Sequence, residues 1–151
     1  MEASAATAGR RISVEVNGTV YEREVDPARW VPYADTGETL HALARAGVKL
    51  GIVSDSGWDY RLVLSRQGWL ELFGSIVLSC DHGAQKPEPV LFTTACAQLG
   101  VEPSVTLMVG DNALTDGGAV RAGLRVLLLP VVEPGSRRGL DTVVRMVDGA
   151  R

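Results

Sequence analysis

Four side chains able to bind phosphate or a metal ion follow apolar segments of this 151-residue sequence. Ser54 follows the run GIV, and Lys86 lies in the loop HGAQKPEP. Asp111 and Asp116 lie in GDNALTD, directly after VTLMV. A hydroxyl can bond to a phosphoryl oxygen, an ammonium can neutralise phosphate charge, and two carboxylates can hold Mg²⁺, which prefers few protein ligands. Together these residues predict a site for a phosphorylated or otherwise anionic substrate.

Each of these residues also has a purely structural interpretation. Asp111 or Asn112 could cap the helix that follows. Ser54 taken alone is typical of a helix start, and Lys86 taken alone is typical of a solvated loop. Asp55 is a candidate for substrate binding beside Ser54, or else an exposed turn residue. Only the joint pattern favours a functional site, so the elements that position these residues decide between the two interpretations.

From residue 36 onward, short apolar runs alternate with segments of helical periodicity. Nearly continuous apolar runs are typical of strands buried on both faces. The predicted strands cover residues 48–54, 75–79, 105–109 and 125–129, and the predicted helices cover 36–46, 59–66, 87–99, 114–122 and 138–147. This alternation predicts an α/β fold, with one parallel sheet between two helical layers in a three-layer α/β/α Rossmann-like arrangement. The carboxyl ends of such strands converge on one crevice.

The first part of the chain has a different pattern. Asn17-Gly18 lies between two alternating runs, a strong signal for a two-residue hairpin turn. The turn sets Val16 opposite Thr19 and Val14 opposite Tyr21. We therefore expect a disordered tail at residues 1–11 and a single domain at 12–151, made of a hairpin at 12–25 and a βα core at 36–148.

Composition limits the classes of function. The apolar fraction of 46% is typical of a globular protein. The formal net charge is −3, so the chain lacks the excess of positive charge that is typical of proteins that bind nucleic acid or an anionic membrane. No apolar run is long enough to span a bilayer, and the first eleven residues lack the apolar core of a signal peptide. Cys80 and Cys96 have no metal-ligand spacing and are expected to be reduced core thiols. These features predict a cytoplasmic protein with no nucleic-acid or membrane partner.

Three motifs resemble those of the haloacid dehalogenase (HAD)-like hydrolase superfamily. They are SDSG at 54–57, QKPEP at 85–89 and GDNALTD at 110–116, and the similarity covers about residues 30–130. In that family the Ser binds the transferring phosphoryl group, the Lys stabilises it, and the acids of the last motif position Mg²⁺. The resemblance implies catalytic roles for Ser54 and Lys86, substrate binding by Ser54, Asp55 and Lys86, and metal ligation by Asp111 and Asp116. It also implies a small phosphorylated metabolite as substrate and Mg²⁺ as cofactor.

The chain departs from the family pattern at the first motif, an Asp-x-Asp pair that carries the nucleophile. No Asp-x-Asp occurs in the sequence, and its closest imitation is EVNGT at 15–19. Glu15 is one methylene too long for that role, and Asn17 cannot transfer a proton. We therefore interpret the chain as a family member without the nucleophile motif and the cap, and we expect weak or absent phosphatase activity. Two functions stay open: an Mg²⁺-dependent hydrolase, or a non-catalytic domain that binds Mg²⁺, an anion or a protein. A homodimer is an option, because a missing strand would expose apolar surface.

Overall fold

The computed structural model describes residues 10–16, 19–25, 30–57 and 59–149. The strands are β1 (Arg10–Val16), β2 (Thr19–Val25), β3 (Leu50–Ser54), β4 (Phe73–Leu78), β5 (Leu107–Gly110) and β6 (Arg125–Leu128). The α-helices are α1 (Thr36–Arg45), α2 (Arg61–Arg66), α3 (Ser79–His82), α4 (Pro89–Leu99) and α5 (Asp141–Asp148). Short 3₁₀ helices occur at Leu70–Leu72, Pro103–Val105 and Asp116–Ala122. Strands and helices alternate from α1 onward, as the sequence predicts.

The hairpin has the predicted register. β1 and β2 are antiparallel, with Val16 opposite Thr19 and Val14 opposite Tyr21. β1 begins at Arg10, two residues before the predicted start, because the ladder extends to a pair between Arg10 and Val25. The predicted turn residues 17–18 and most of the predicted tail, residues 1–9, lie outside the described residues.

The other strands form two separate parallel pairs. β3 pairs with β4, and β5 pairs with β6, both in parallel. The parallel direction agrees with the prediction, but the expectation of one continuous sheet is wrong for the described residues, since no ladder joins β3 to β5. Among the described strands, β1 and β2 form a sheet of their own, and none of them is hydrogen-bonded to β3 or β5 as a bridge between the two parallel pairs.

Some boundaries differ from the predicted ones for local reasons. α4 begins at Pro89 rather than at residue 87, in agreement with the preference of proline for the first helical turn. The segment predicted as a helix at 114–122 is a 3₁₀ helix that begins at Asp116. It contains two consecutive glycines, Gly117 and Gly118, which disfavour regular α-helix. Cys96 is buried as expected, whereas Cys80 is exposed and therefore is not a core thiol.

Helix α4 carries the centre of the core. It packs on β3, on β4 and on the 3₁₀ helix at 116–122. Its Leu91 and Phe92 are fully buried, as are Val77 and Leu78 at the end of β4. This packing fixes the carboxyl ends of the strands, where the candidate site residues lie.

Candidate functional site

An ion pair between Lys86 and Asp116 joins two loops at the carboxyl ends of the strands. Lys86 Nζ lies 2.5 Å from Asp116 Oδ1, and both side chains are largely buried, at 13% and 5% exposure. Burial alone would raise the pKa of Asp116, but the Lys86 ammonium and backbone N–H groups outweigh it and hold that pKa below the ordinary value of Asp. Lys86 is therefore a fixed ammonium and not a solvated loop cation.

The loop GDNALTD is built around Asp116. Its Oδ2 accepts the backbone N–H groups of Asp111 at 2.9 Å and Asn112 at 3.1 Å. A Cβ at Gly110 would lie 2.2 Å from the same oxygen, so only glycine fits there. Asn112 Oδ1 accepts the N–H groups of residues 114 and 115, which makes Asn112, and not Asp111, the capping residue of this turn. Asp111 is left with its carboxylate available for other contacts.

Asp111 contacts a cation from the far end of the chain. Arg138 Nη2 donates to Asp111 Oδ2 at 3.0 Å, while the Asp111 side chain stays 39% exposed. The same guanidinium donates to the carbonyl oxygens of Gly110, Leu129 and Pro130. It also lies 5.0 Å from the centroid of the Tyr33 ring. Arg138 is thus a rigidly held positive charge at the edge of the site.

A buried carboxylate holds the segment that carries Arg138. Asp35 is fully buried and accepts backbone N–H bonds from Arg138, Gly139 and Leu140 at 2.8–3.0 Å. Burial would raise the pKa of Asp35, but these N–H bonds outweigh it and the pKa lies below its ordinary value. Asp35 precedes α1 without capping it through its side chain.

Ser54 and Asp55 follow β3 on the other side of the site. Asp55 is exposed and its Oδ1 accepts the backbone N–H of Lys86 at 2.8 Å. Burial raises the pKa of the Tyr60 hydroxyl, and a side-chain hydrogen bond with Ser54 opposes that rise. The side chain of Ser54 is therefore hydrogen-bonded to the Tyr60 hydroxyl. The Asp55 carboxylate holds the backbone of the loop that carries Lys86.

Lys86 brings the two sides together. Its N–H reaches Asp55 after β3, and its Nζ reaches Asp116 after β5. An open cleft of about 470 Å³ adjoins this point and is lined by residues including Asp55, Ser79 and Glu88. Lys86 therefore contacts both Asp55 and Asp116, and the backbone N–H of Asp111 bonds to Asp116. The convergence of the Ser54, Lys86 and Asp111 side chains in one site stays a prediction.

Sequence reasoning missed three residues of this region: Asp35, Tyr60 and Arg138. Arg138 and Asp35 are separated by 103 positions, so no local spacing relates them. The one available signal was Asp35 directly before a predicted helix, and that position indicates a cap rather than a long-range contact.

The carboxylate oxygens of this region are the kind of ligand that Mg²⁺ prefers. Mg²⁺ is usually bound through one or two carboxylates together with waters and phosphate oxygens. The Asp111 side chain is partly exposed and can offer a carboxylate oxygen to a metal ion. Both carboxylate oxygens of Asp116 already accept hydrogen bonds, one from Lys86 and the other from backbone N–H groups. Among residues 30–57 and 59–149, no group of three or more acidic, His or Cys side chains could hold a metal ion. Asp111 would therefore be the direct ligand and Asp116 the residue that shapes its loop.

The fold and the site define a Rossmann-like α/β domain with a polar site at the carboxyl edge of its parallel strands. Residues 2–123 match the model of a hydrolase family described as haloacid dehalogenase-like hydrolase. The chain belongs to this family, as the three motifs indicate.

The relatives include phosphatases. The chain is 34% identical over 113 residues to haloacid dehalogenase-like hydrolase domain-containing protein 3 of Danio rerio, covering 73% of this chain and 46% of that protein. It is 38% identical over 98 residues to glyceraldehyde 3-phosphate phosphatase of Methanopyrus kandleri, covering 62% and 41%. The crystal structure of a HAD phosphatase from Thermococcus onnurineus superposes with a TM-score of 0.67 at 35% identity, covering 78% and 58%. The chain thus spans about half the length of the curated relatives it matches.

No helix within the described part of the chain is long and apolar enough to cross a membrane.

Proposed function

We propose that the carboxyl edge of the strands is an Mg²⁺-dependent phosphatase site that takes a small phosphorylated metabolite. The observation that carries this proposal is Lys86, an ammonium fixed by Asp116 at the point where the loops after β3, β4 and β5 meet. The glyceraldehyde 3-phosphate phosphatase among the relatives acts on a substrate of this kind, and it supports the proposal.

Each residue of the proposed site has a role that follows from its side-chain chemistry. The Lys86 ammonium attracts the phosphate, and Ser54 offers its hydroxyl to a phosphoryl oxygen in exchange for Tyr60. The site contains more negative than positive side chains: the carboxylates of Asp55, Asp111 and Asp116 against the cations of Lys86 and Arg138. A bound phosphate dianion would add to this excess of negative charge, so it needs additional positive charge. Mg²⁺, when bound at Asp111, would supply that charge and polarise the phosphoryl oxygens.

A non-catalytic binding domain is the second candidate. It is favoured by the absence of Asp-x-Asp from the sequence and by the position of β1, which pairs with β2 and not with β3 or β5. Turnover by this chain alone is therefore expected to be weak or absent, while phosphate binding does not require a nucleophile. The homodimer and the cytoplasmic location stay predictions.

The test measures binding and turnover separately. Calorimetric titration with inorganic phosphate should give a dissociation constant that falls about tenfold or more when Mg²⁺ is added, which is about 1.4 kcal/mol. Asp111→Asn should abolish the Mg²⁺ effect, and the matched control Asp148→Asn, an exposed acid at the end of α5, should retain it. Phosphate binding that is absent, or is insensitive to Mg²⁺ and to Asp111→Asn, would contradict the proposed site.

Hydrolysis of p-nitrophenyl phosphate distinguishes the two candidates. Mg²⁺-dependent turnover lost in Asp111→Asn supports a catalytic chain. Phosphate binding without turnover supports the non-catalytic domain.

A further inference from the structure

The buried carboxylate of Asp35 is not part of the proposed site, but it holds a residue that contacts the site. Asp35 is fully buried, and its two oxygens accept backbone N–H bonds from residues 138–140. A buried carboxylate is costly unless hydrogen bonds compensate it, and here three consecutive backbone donors do so. Asp35 therefore fixes the backbone from which the Arg138 side chain projects.

Two more contacts from the segment before α1 hold Arg138. The backbone N–H of Ala34 donates to the carbonyl oxygen of Ser136 at 2.9 Å. The centroid of the Tyr33 ring lies 5.0 Å from the central carbon of the Arg138 guanidinium. The backbone and the guanidinium of Arg138 are thus both held, and we call these two contacts, together with those of Asp35, the latch.

The latch directs the Arg138 guanidinium to the carboxyl ends of β5 and β6. Its Nη2 donates to Asp111 Oδ2 at 3.0 Å, and also to the carbonyl oxygens of Gly110 and Leu129. Its Nε donates to the carbonyl oxygen of Pro130 at 3.1 Å. The three carbonyl oxygens carry no net charge. Asp111 is therefore the one acceptor in this set that neutralises the guanidinium.

Asp111 is also the carboxylate that the proposed site offers to Mg²⁺. The Arg138 side chain is only 12% exposed, so solvent and salt screen its charge less than that of a surface arginine. A second cation at the same carboxylate is repelled by the guanidinium, and it finds the carboxylate charge already partly neutralised. Arg138 in its observed position therefore lowers the affinity of Asp111 for Mg²⁺.

We propose that Arg138 is an internal cation that competes with Mg²⁺ for Asp111, and that Asp35 is a positioning residue that sets the Mg²⁺ affinity by holding Arg138 in place. This inference rests on the proposed function, because it takes Asp111 as the Mg²⁺ ligand. Its consequence is an unusual pair of effects: opening the latch lowers the stability of the fold and at the same time tightens Mg²⁺ binding.

Calorimetric titration of Mg²⁺ into the full chain, without phosphate, tests this pair of effects. Asp35→Asn and Arg138→Gln should each lower the dissociation constant of Mg²⁺ about threefold or more, the size expected of a partly exposed ion pair. Leu91→Ala is the matched control, because it destabilises the fold at a buried position that packs against Val77 and Ala95. It should not tighten Mg²⁺ binding. Unchanged or weaker binding in folded Asp35→Asn would overturn the proposal, since a residue that only stabilises the fold gives that result.

A double variant shows whether Asp35 acts through Arg138. Asp35→Asn combined with Arg138→Gln should bind Mg²⁺ no more tightly than Arg138→Gln alone, because two residues that act on the same contact are not additive. Separate gains that add in the double variant would overturn the positioning role of Asp35.

A measurement without metal covers the case in which Asp35→Asn folds poorly. Tyr33→Leu removes the ring contact with the guanidinium and leaves Asp35 in place. The Nε–H of Arg138, which donates to Pro130, should exchange slowly with solvent in NMR spectra of the unchanged chain and several-fold faster in Tyr33→Leu. Mg²⁺ binding should be tighter in the same variant. Equally slow exchange, or faster exchange without tighter binding, would overturn the proposal.

The same titrations separate a failure of this inference from a failure of the proposed function. Asp111→Asn should abolish Mg²⁺ binding in the unchanged chain and in Arg138→Gln. If it does so while the Asp35 and Arg138 variants bind Mg²⁺ like the unchanged chain, the inference fails and the proposed site stands. If Mg²⁺ binding is absent from every variant, or insensitive to Asp111→Asn, both fail.

Discussion

Replacement of Asp35 by Asn should destabilise the fold strongly, although it changes a single atom type. The Asp35 carboxylate accepts N–H bonds from three consecutive residues, Arg138, Gly139 and Leu140, at 2.8–3.0 Å. Asn offers one carbonyl oxygen, and its NH₂ group would face N–H donors. A hydrogen bond to a charged group contributes about 1.5–3 kcal/mol and a neutral one about 0.5–1.5. Over three donors we expect Asp35→Asn to lower the free energy of unfolding by about 3 kcal/mol.

Urea denaturation measures this loss. Trp69, which is buried and packs beside Gly37 of α1, provides the fluorescence signal close to Asp35. Asp148→Asn is the matched control and should change the free energy of unfolding by less than about 0.5 kcal/mol, because the residue is exposed. A difference below about 0.5 kcal/mol for Asp35→Asn would refute the reasoning.

The effect should depend on pH in one direction. The pKa of Asp35 is lower in the folded chain than in the unfolded chain, so its stabilising contribution is fully present above the unfolded pKa of about 3.9 and is lost as pH falls through the lower folded value. The stability difference between the wild-type chain and Asp35→Asn should therefore be constant from pH 7 down to about 5 and shrink below about 4. A difference that persists unchanged through this acid range would show that the charge is not the cause.

Three further predictions concern the site. Asp116→Asn should lower the free energy of unfolding by about 3 kcal/mol in urea denaturation, because it leaves Lys86 buried without its counter-charge; a loss as small as that of Asp148→Asn would contradict this. Gly118→Ala should cost about 2 kcal/mol in the same assay, because its Cβ would lie 2.2 Å from Pro87 Cβ. The neighbouring Gly117→Ala, with nothing within 4 Å, should cost less than about 0.5 kcal/mol, and equal losses would exclude the clash. Arg138→Gln should tighten Mg²⁺ binding several-fold in calorimetry, since it frees an oxygen of Asp111; an unchanged or weaker affinity would show that Arg138 does not compete for that carboxylate.

Local physics made the elements and the motif loops predictable. Asn17-Gly18 between alternating runs predicts the hairpin register, because side chains alternate with period two and a two-residue turn fixes which residues face each other. The parallel direction of β3 to β6 follows in the same way from alternation with helices. Lys86 and Asp116 were recognisable because their motifs are contiguous in sequence and each follows a strand.

The tertiary structure alone decided which charges meet and where the sheet is interrupted. Asp35 and Arg138 come together across 103 positions, and the Arg138 guanidinium reaches Asp111 through that contact, which no periodicity encodes. Likewise, each strand looks suited to a continuous sheet, but continuity depends on whether some strand lies between β3 and β5. The sequence by itself determines hydrogen bonds between near neighbours and the apolar faces of each element. The pairing of distant edges and buried charges depends on how those faces pack, and only the folded chain shows it.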